Sequence, residues 1–332
     1  MDLEEFLKEW HNDSPTVLVH TSGSTGKPKP MLVEKRRMEA SARITCDFLG
    51  LQAGDTALLC MSLDYIAGKM MVVRALTCGL KLIAVNPCGS PEWEGDVDFA
   101  AMVPMQVYNL LQSEEGRKRL KAIKHLIIGG GAIDETLAQE LKTFSNAVWS
   151  TYGMTETLSH IALRRLSGPE ASEWYTPFEG VTLSLNDEGC LVIDAPAVHD
   201  GPLVTNDIAE LKLSSLHPSP VTLHQFKIIG RKDNVICSGG IKIQIEEVEK
   251  LLRPYLSEPF MISKRPDKKF GEQVVLLTES REMDIVKDVC QRVLPKYWQP
   301  RSFLHIDHLP MTETGKPARK EAEQLCIDYP SR

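Results

Sequence analysis

Short apolar runs alternate with longer stretches of mixed polarity through the first half of the chain. Residues 17–20 read as a strand, 34–49 as a helix with its charges on one face, 56–61 as a strand, 65–78 as a helix and 82–85 as a strand. Residues 125–130 form a strand that runs into glycines, followed by a helix near 134–144 and a strand over 147–153. Short buried strands alternating with helices predict an α/β sheet with helices on its faces. Ligands of such sheets sit beyond the carboxyl ends of the strands. Three loops rich in Gly, Ser and Thr fall at such ends, after residues 20, 128 and 151.

The pattern then changes. Residues 181–193 are two alternating segments around Asn186, Asp187 and Gly189, which is a hairpin signature. More β-type sequence follows to 226–230, and beyond residue 234 come strand, helix and strand patterns with a helix near 245–252. The expected organisation is a large N-terminal α/β domain over 1–231, carrying a small β subdomain, and a small α+β domain over 234–332. Residues 231–233 would join them. A length of 332 residues suits one large domain and one small.

Composition narrows the function. With 42% hydrophobic and 25% charged residues the chain reads as a soluble globular protein. A net charge of −7 argues against a general nucleic-acid surface, because phosphate backbones call for excess Lys and Arg. The eight cysteines include no C-x-x-C pair, which argues against a disulfide framework and suits a reducing cytoplasm. The N-terminus lacks the basic flank and apolar core of a signal peptide. No apolar run approaches the ~18 residues of a membrane span. A cytoplasmic protein with no membrane partner is expected.

Thr21-Ser22-Gly23-Ser24-Thr25-Gly26-Lys27-Pro28-Lys29 is the most informative segment. Four hydroxyls, two glycines and two lysines leave a strand within nine residues. Glycines let the backbone approach a ligand and turn its N–H groups inward, hydroxyls donate hydrogen bonds, and lysines offset negative charge. That is chemistry for a polyphosphate. A flexible surface loop would need neither both lysines nor a preceding buried strand. Gly23 and Gly26 are too close for a Walker A loop, so this is no P-loop NTPase.

The segment resembles the phosphate-binding signature of the adenylate-forming superfamily: acyl-CoA synthetases, adenylation domains of peptide synthetases and luciferases. Other motifs of that superfamily follow in order. Tyr152-Gly153-Met154-Thr155-Glu156-Thr157 resembles its second signature, with Thr151 before it among the nucleotide-binding residues, which implies Tyr152 beside adenine, Thr155 on the α-phosphate and Glu156 on Mg²⁺. Gly129-Gly130-Gly131-Ala132 resembles the segment along adenine and the acyl group. Asp207 stands where the superfamily has a carboxylate on the ribose, although Asn206 replaces the usual Gly before it. Gly230-Arg231-Lys232-Asp233 matches the hinge, with Arg231 on ribose or phosphate and Asp233 as pivot. Gly239-Gly240 lies in a stretch similar to the one that lines the pantetheine tunnel, and Lys316 resembles the lysine that drives adenylation.

The resemblance implies an acid–thiol ligase that takes ATP, Mg²⁺, CoA and a small carboxylic acid, with residues 234–332 as a mobile lid. Loss of Lys316 would cripple adenylation and largely spare thioester formation. For the acid, Tyr65 stands where the superfamily has an aromatic or His gate, and Gly131 borders the acyl group. Ser159 and His160 follow the second signature in a way similar to o-succinylbenzoate–CoA ligases of menaquinone synthesis, which implies that substrate. Those two side chains would bond a second carboxylate or a keto oxygen; equally, His160 would be a satisfied core histidine. A ligase for another aromatic or medium-chain acid is the rival within enzymes. A non-catalytic nucleotide- or acyl-binding remnant is the rival outside them, motivated by the 20 residues before the phosphate loop where relatives have over a hundred. That shortened N-terminal region would leave a helix face for a second copy, a homodimer. Lys264, Arg265, Lys268 and Lys269 would meet a CoA phosphate or form a solvated loop.

Overall fold

The computed structural model describes residues 1–20, 30–131, 133, 135–213, 224–312 and 316–329. The chain divides into two compact units. One is Met1–Ser184 with Val192–Leu203 and Leu211–Lys227; the other is Leu185–Leu191 with Val204–Glu210 and Ile228–Arg332.

The first unit opens with α1 (Leu3–His11), closed by a capping box in which Asp2 accepts from the Glu5 N–H at 2.8 Å and Glu5 accepts from the Asp2 N–H at 3.1 Å. Strands β1 (Thr16–His20) and β2 (Pro30–Glu34) pair antiparallel, with Leu18 opposite Leu32. Val17, Val19 and Val33 are buried while Leu18 and Leu32 stay exposed, the period of two expected of a half-covered strand.

The alternation in the sequence puts 17–20 among the strands of the main sheet. In the structure β1 instead forms a separate two-stranded sheet with β2. The cause is local. The Leu18 N–H donates to Glu9 Oε1 at 3.2 Å and the Leu18 carbonyl accepts from Lys69 Nζ at 2.8 Å, so side chains close the outer edge of β1.

There follow α2 (Lys35–Leu49), β3 (Thr56–Leu59), α3 (Ile66–Cys78), β4 (Lys81–Ala84), β5 (Phe99–Met102), α4 (Pro104–Leu111) and α5 (Glu114–Ala122). Next come β6 (His125–Ile128), α6 (Glu135–Lys142), β7 (Ala147–Gly153), β8 (His160–Arg165) and β9 (Thr176–Pro177). Among the described residues β3–β9 form a seven-stranded sheet in the order β4–β3–β5–β6–β7–β8–β9. The run from β4 to β7 is parallel, and β8 and β9 add antiparallel. Both α2 and α3 stop at a left-handed glycine, Gly50 (φ 67°) and Gly79 (φ 69°), where any side chain would be strained. The α/β class expected from the sequence is the one observed. The elements it passed over, α1, β2, β5, α4, α5, β8 and β9, include the four-residue strand Phe99–Met102, too short for a period to show.

Strands β10 (Thr182–Leu185), β11 (Cys190–Asp194), β12 (Leu203–Leu213) and β13 (His224–Arg231) make a four-stranded sheet in that order. The β10–β11 turn is held by Asn186, whose Oδ1 accepts from the N–H groups of Glu188 (3.0 Å) and Cys190 (2.8 Å).

The second unit carries β14 (Val235–Ser238), β15 (Ile241–Gln244), α7 (Ile245–Leu252), β16 (Phe260–Asp267), β17 (Gly271–Thr278), α8 (Met283–Val293), β18 (Ser302–His305) and α9 (Arg319–Asp328). Strand β17 is buried on both faces. Val274 and Leu276 join a core with Val248, Leu252 and Val286 of α7 and α8, and Val275 and Leu277 join one with Ala322 and Cys326 of α9. Burying both faces of a strand requires the continuous apolar run seen at 274–277. The two faces are tied by Arg319 of α9, whose guanidinium meets both oxygens of Glu249 of α7 at 2.6 and 2.7 Å. Among the described residues no helix is long and apolar enough to cross a membrane.

Candidate active site

Strand β7 ends in the segment the sequence singles out. A bulge falls between Tyr152 and Gly153, and a Cβ at 153 would lie 2.2 Å from the Ser159 carbonyl oxygen, so only glycine fits. Thr155–Thr157 form one turn of 3₁₀ helix, with Thr155 buried and Glu156 exposed. Among the described residues Glu156 makes no ion pair and no three acidic, His or Cys side chains cluster. A single free carboxylate is a donor set that suits Mg²⁺ carried mainly on phosphate oxygens.

The glycines after β6 form a cradle. A Cβ on Gly129 would meet Thr151 Oγ1 at 2.3 Å, Gly130 has φ 78°, and Gly131 borders Pro104. Tyr152 packs edge-on against Phe226, ring centroids 5.0 Å apart, and lies 5.8 Å from Tyr175. That aromatic corner beside a bare backbone suits a purine. Tyr175 and Phe226 carry no motif in the sequence; they are joined by an isolated bridge of two backbone hydrogen bonds (2.7 and 3.1 Å) from segments 51 residues apart.

Ser159 and His160 belong to a buried chain of hydrogen bonds. Arg74 Nη2 donates to Ser159 Oγ at 2.7 Å, and Ser159 Oγ lies 3.2 Å from His160 Nδ1. His160 Nε2 lies 3.1 Å from Thr45 Oγ1, which itself donates to the Ser41 carbonyl at 3.0 Å. The donors and acceptors balance if the imidazole is neutral with its proton on Nε2. Burial, and secondarily the charge of Arg74, hold its pKa well below the usual 6.5. Both ring nitrogens are therefore engaged inside the protein.

The linkage follows from the sign of that shift. The unfolded chain takes up a proton below pH 6.5 that folded His160 refuses, so stability falls as pH drops through that value. His160→Gln is expected to flatten the acid limb of a melting-temperature profile between pH 7 and 5, by up to about 1.4 kcal/mol per pH unit. Parallel profiles for the two proteins would contradict the assignment.

Arg74 is the functional candidate that the sequence reading missed. It sits on α3 with 2% of its surface exposed, and its Nε has no partner. Its other contacts are Thr45 Oγ1 at 3.5 Å and Met71 Sδ at 4.0 Å; among the described residues no carboxylate pairs with it. Burial lowers its pKa to about 10, which leaves it cationic at neutral pH. The signal available was one charged residue inside the apolar run Met70-Met71-Val72-Val73-Arg74-Ala75. Tyr65 stands at the N-terminus of the same helix, 38% exposed, and no described bond joins its side chain to Ser159 or His160.

The second unit gathers its own set. Arg231 bridges Asp207 (3.2 Å) and Asp233 (2.8 Å), and its carbonyl accepts from Gln244 Nε2 at 3.0 Å. A Cβ on Gly230 would strike that Gln244 side chain at 2.2 Å. Lys316 is tied to Thr312, its N–H donating to Thr312 Oγ1 (3.0 Å) and its carbonyl accepting from the Thr312 N–H (2.7 Å). Burial and the charge of Arg231 lower the Lys316 pKa. Gly239 (φ 59°) and Gly240 (φ 84°) form the turn between β14 and β15. In the basic segment, Lys264 pairs with Glu272 (2.9 Å) and Arg265 donates to Ser302 Oγ (2.7 Å). Thr21, Ser22, Gly23, Ser24, Thr25, Gly26, Lys27 and Ala132 lie outside the described residues.

The model of the family described as AMP-binding enzyme matches residues 3–199, more than half of the chain. The chain belongs to that family. It is similar to a crystal structure of an acyl-CoA synthetase (AMP-forming)/AMP-acid ligase II-like protein from Dyadobacter fermentans, with 31% identity, 96% of this chain and 91% of that one covered, and a TM-score of 0.63. It is 24% identical to a 2-succinylbenzoate–CoA ligase of Bacillus cereus over 96% of this chain and 72% of the relative. The o-succinylbenzoate CoA synthetase (MenE) of Bacillus subtilis, solved with the acyl-adenylate OSB-AMP, shares the fold at a TM-score of 0.73 with 21% identity, covering 92% of this chain and 68% of that one. This AMP-binding enzyme is an AMP-forming acid–CoA ligase that works through an acyl-adenylate; the B. subtilis synthetase that shares its fold was also solved with ATP and a magnesium ion.

Proposed function

We propose that the acid is o-succinylbenzoate and the product o-succinylbenzoyl-CoA, a step of menaquinone biosynthesis. The observation that carries this reading is Arg74. A buried guanidinium without a carboxylate partner is costly unless an anion arrives to pair with it. It bonds Ser159, three residues beyond Glu156, so a substrate with one carboxylate at the α-phosphate could offer its second to Arg74. A fatty acid has no second carboxylate to offer. The B. cereus relative named for this substrate supports the same choice.

In the first half-reaction the remaining carboxylate attacks the α-phosphate of ATP, forming the acyl–adenylate bond and releasing pyrophosphate. Such transfers are accelerated by positioning and charge neutralisation. Thr155 would donate to the α-phosphate, Tyr152 and the Gly129–Gly131 backbone would hold adenine, and Asp207 and Arg231 would hold the ribose. Glu156 would hold Mg²⁺, which when bound supplies positive charge along the triphosphate. Lys316 would bridge carboxylate and phosphate oxygens. In the second half-reaction the CoA thiolate displaces AMP, with Gly239-Gly240 beside the pantetheine arm and Asp233 as the pivot between the two states.

ATP–pyrophosphate exchange against o-succinylbenzoate, substituted benzoates and medium-chain fatty acids tests the reading. Exchange is expected with o-succinylbenzoate and weakly or not at all with acids that lack a second carboxylate. Exchange confined to fatty acids would overturn the substrate, and none with any acid would favour a binding remnant.

A further inference from the structure

Between Glu156 and Ser159 the backbone is tied into a knot. Leu158, 3% exposed, has φ 64° and ψ −33° and is the one non-glycine residue with positive φ among those described. The Ser159 N–H bonds the Thr157 carbonyl two residues back at 2.7 Å, which makes this a γ-turn of the rare, strained hand. A buried leucine holds such a conformation only where its surroundings impose it.

Thr157 imposes it. Its side chain is fully buried, and its Oγ1 accepts from the Met154 N–H at 3.0 Å. Its single proton goes to the Ser159 carbonyl at 2.7 Å, the Met154 carbonyl lying farther off at 3.0 Å. One hydroxyl thus clamps the residue before Thr155 to the residue that Arg74 holds. Gly153 completes the knot, since its α-carbon abuts the Ser159 carbonyl too closely for a side chain.

We infer that Thr157 is a positioning residue for adenylation: its hydroxyl fixes the distance between the phosphate-side pair Thr155–Glu156 and the acid-side pair Ser159–Arg74. This rests on the roles proposed above for those four residues. Misplacing reacting groups by about 1 Å costs on the order of 10²-fold in rate. The clamp acts on the spacing of the acid relative to the nucleotide, not on the nucleotide itself. Its loss therefore falls on the acid.

The test is acid-dependent pyrophosphate exchange by Thr157→Val, Thr157→Ser and Glu156→Gln enzymes, with melting curves for each. Thr157→Val keeps the shape of the side chain and loses the hydroxyl. It is expected to lower kcat/KM for the acid about 10- to 100-fold while the KM for ATP moves less than about threefold. Thr157→Ser, which keeps the hydroxyl, is expected to restore kcat/KM for the acid to within about threefold of wild type. A folded Thr157→Val enzyme with wild-type kinetics overturns the inference. So does equal damage to acid and ATP parameters that serine fails to rescue, because that is a purely structural loss. A Thr157→Val protein that does not fold hands the test to Leu158→Ala and Leu158→Gly. These lose nearly the same side chain and differ in backbone freedom at φ 64°. The glycine enzyme is expected to melt no lower than the alanine enzyme yet to be slower with the acid; equal rates overturn the inference. The reading beneath it fails differently: wild-type enzyme without exchange, or Glu156→Gln at full rate, removes the assigned roles before Thr157 is reached.

Discussion

Lys316→Ala enzyme is expected to lose acid-dependent pyrophosphate exchange by about 10²- to 10³-fold, the cost of removing one preorganised donor from a developing charge. Thioester formation from pre-formed acyl-adenylate should stay within about threefold of wild type, since that step has no carboxylate–phosphate pair to bridge. The pH profile gives an independent reading. Burial and Arg231 hold the Lys316 pKa below its ordinary 10.5 in the free enzyme. A lysine that must be charged loses function as pH rises through its own pKa, and kcat/KM reports the free enzyme. The alkaline limb of kcat/KM for adenylation is therefore expected below 10.5, and Lys316→Arg, which stays cationic, should lack it. Exchange at the wild-type rate by Lys316→Ala sinks the assignment.

Arg74→Met is expected to move activity and stability in opposite directions. Loss of a charge-assisted contact to a substrate carboxylate costs about 2–5 kcal/mol, so the KM for o-succinylbenzoate should rise about 30- to 4,000-fold. The KM for ATP should not follow. Benzoate, with no second carboxylate, should show no difference between the two enzymes. The folded protein, meanwhile, sheds a buried guanidinium whose Nε is unsatisfied and which has no described anion. Replacing such a group by an apolar side chain of similar reach is neutral or stabilising, so the melting temperature should hold or rise. A residue kept at the expense of stability is the mark of a binding site. A variant that melts lower and loses acid and ATP alike would make Arg74 a structural cation.

Much of the fold was legible because the relevant signals are local. The hairpin at Asn186–Gly189, the helices over 34–49 and 65–78 and the strand over 147–153 each follow from residues a few positions apart. The second signature was equally legible, since Thr155, Glu156 and Ser159 lie within five positions. His160 was not: two readings stood open until its partners Thr45 and Ser159 were known, 115 residues apart on one side and adjacent on the other.

By itself the sequence determined the family chemistry of this protein. Phosphate loops, turn glycines and an ordered set of charged residues are written in contiguous runs, because backbone conformation and hydrogen-bond donors are properties of neighbouring residues. Only the tertiary structure decided what surrounds them. It closed the edge of β1 with Glu9 and Lys69 in place of a strand. It set Tyr152 against Phe226, and it aimed Arg74 of one helix at Ser159 of a distant loop. Burial and charge pairing depend on distance in space, and a guanidinium in an apolar run looks like an error until its desolvated surroundings give it a purpose.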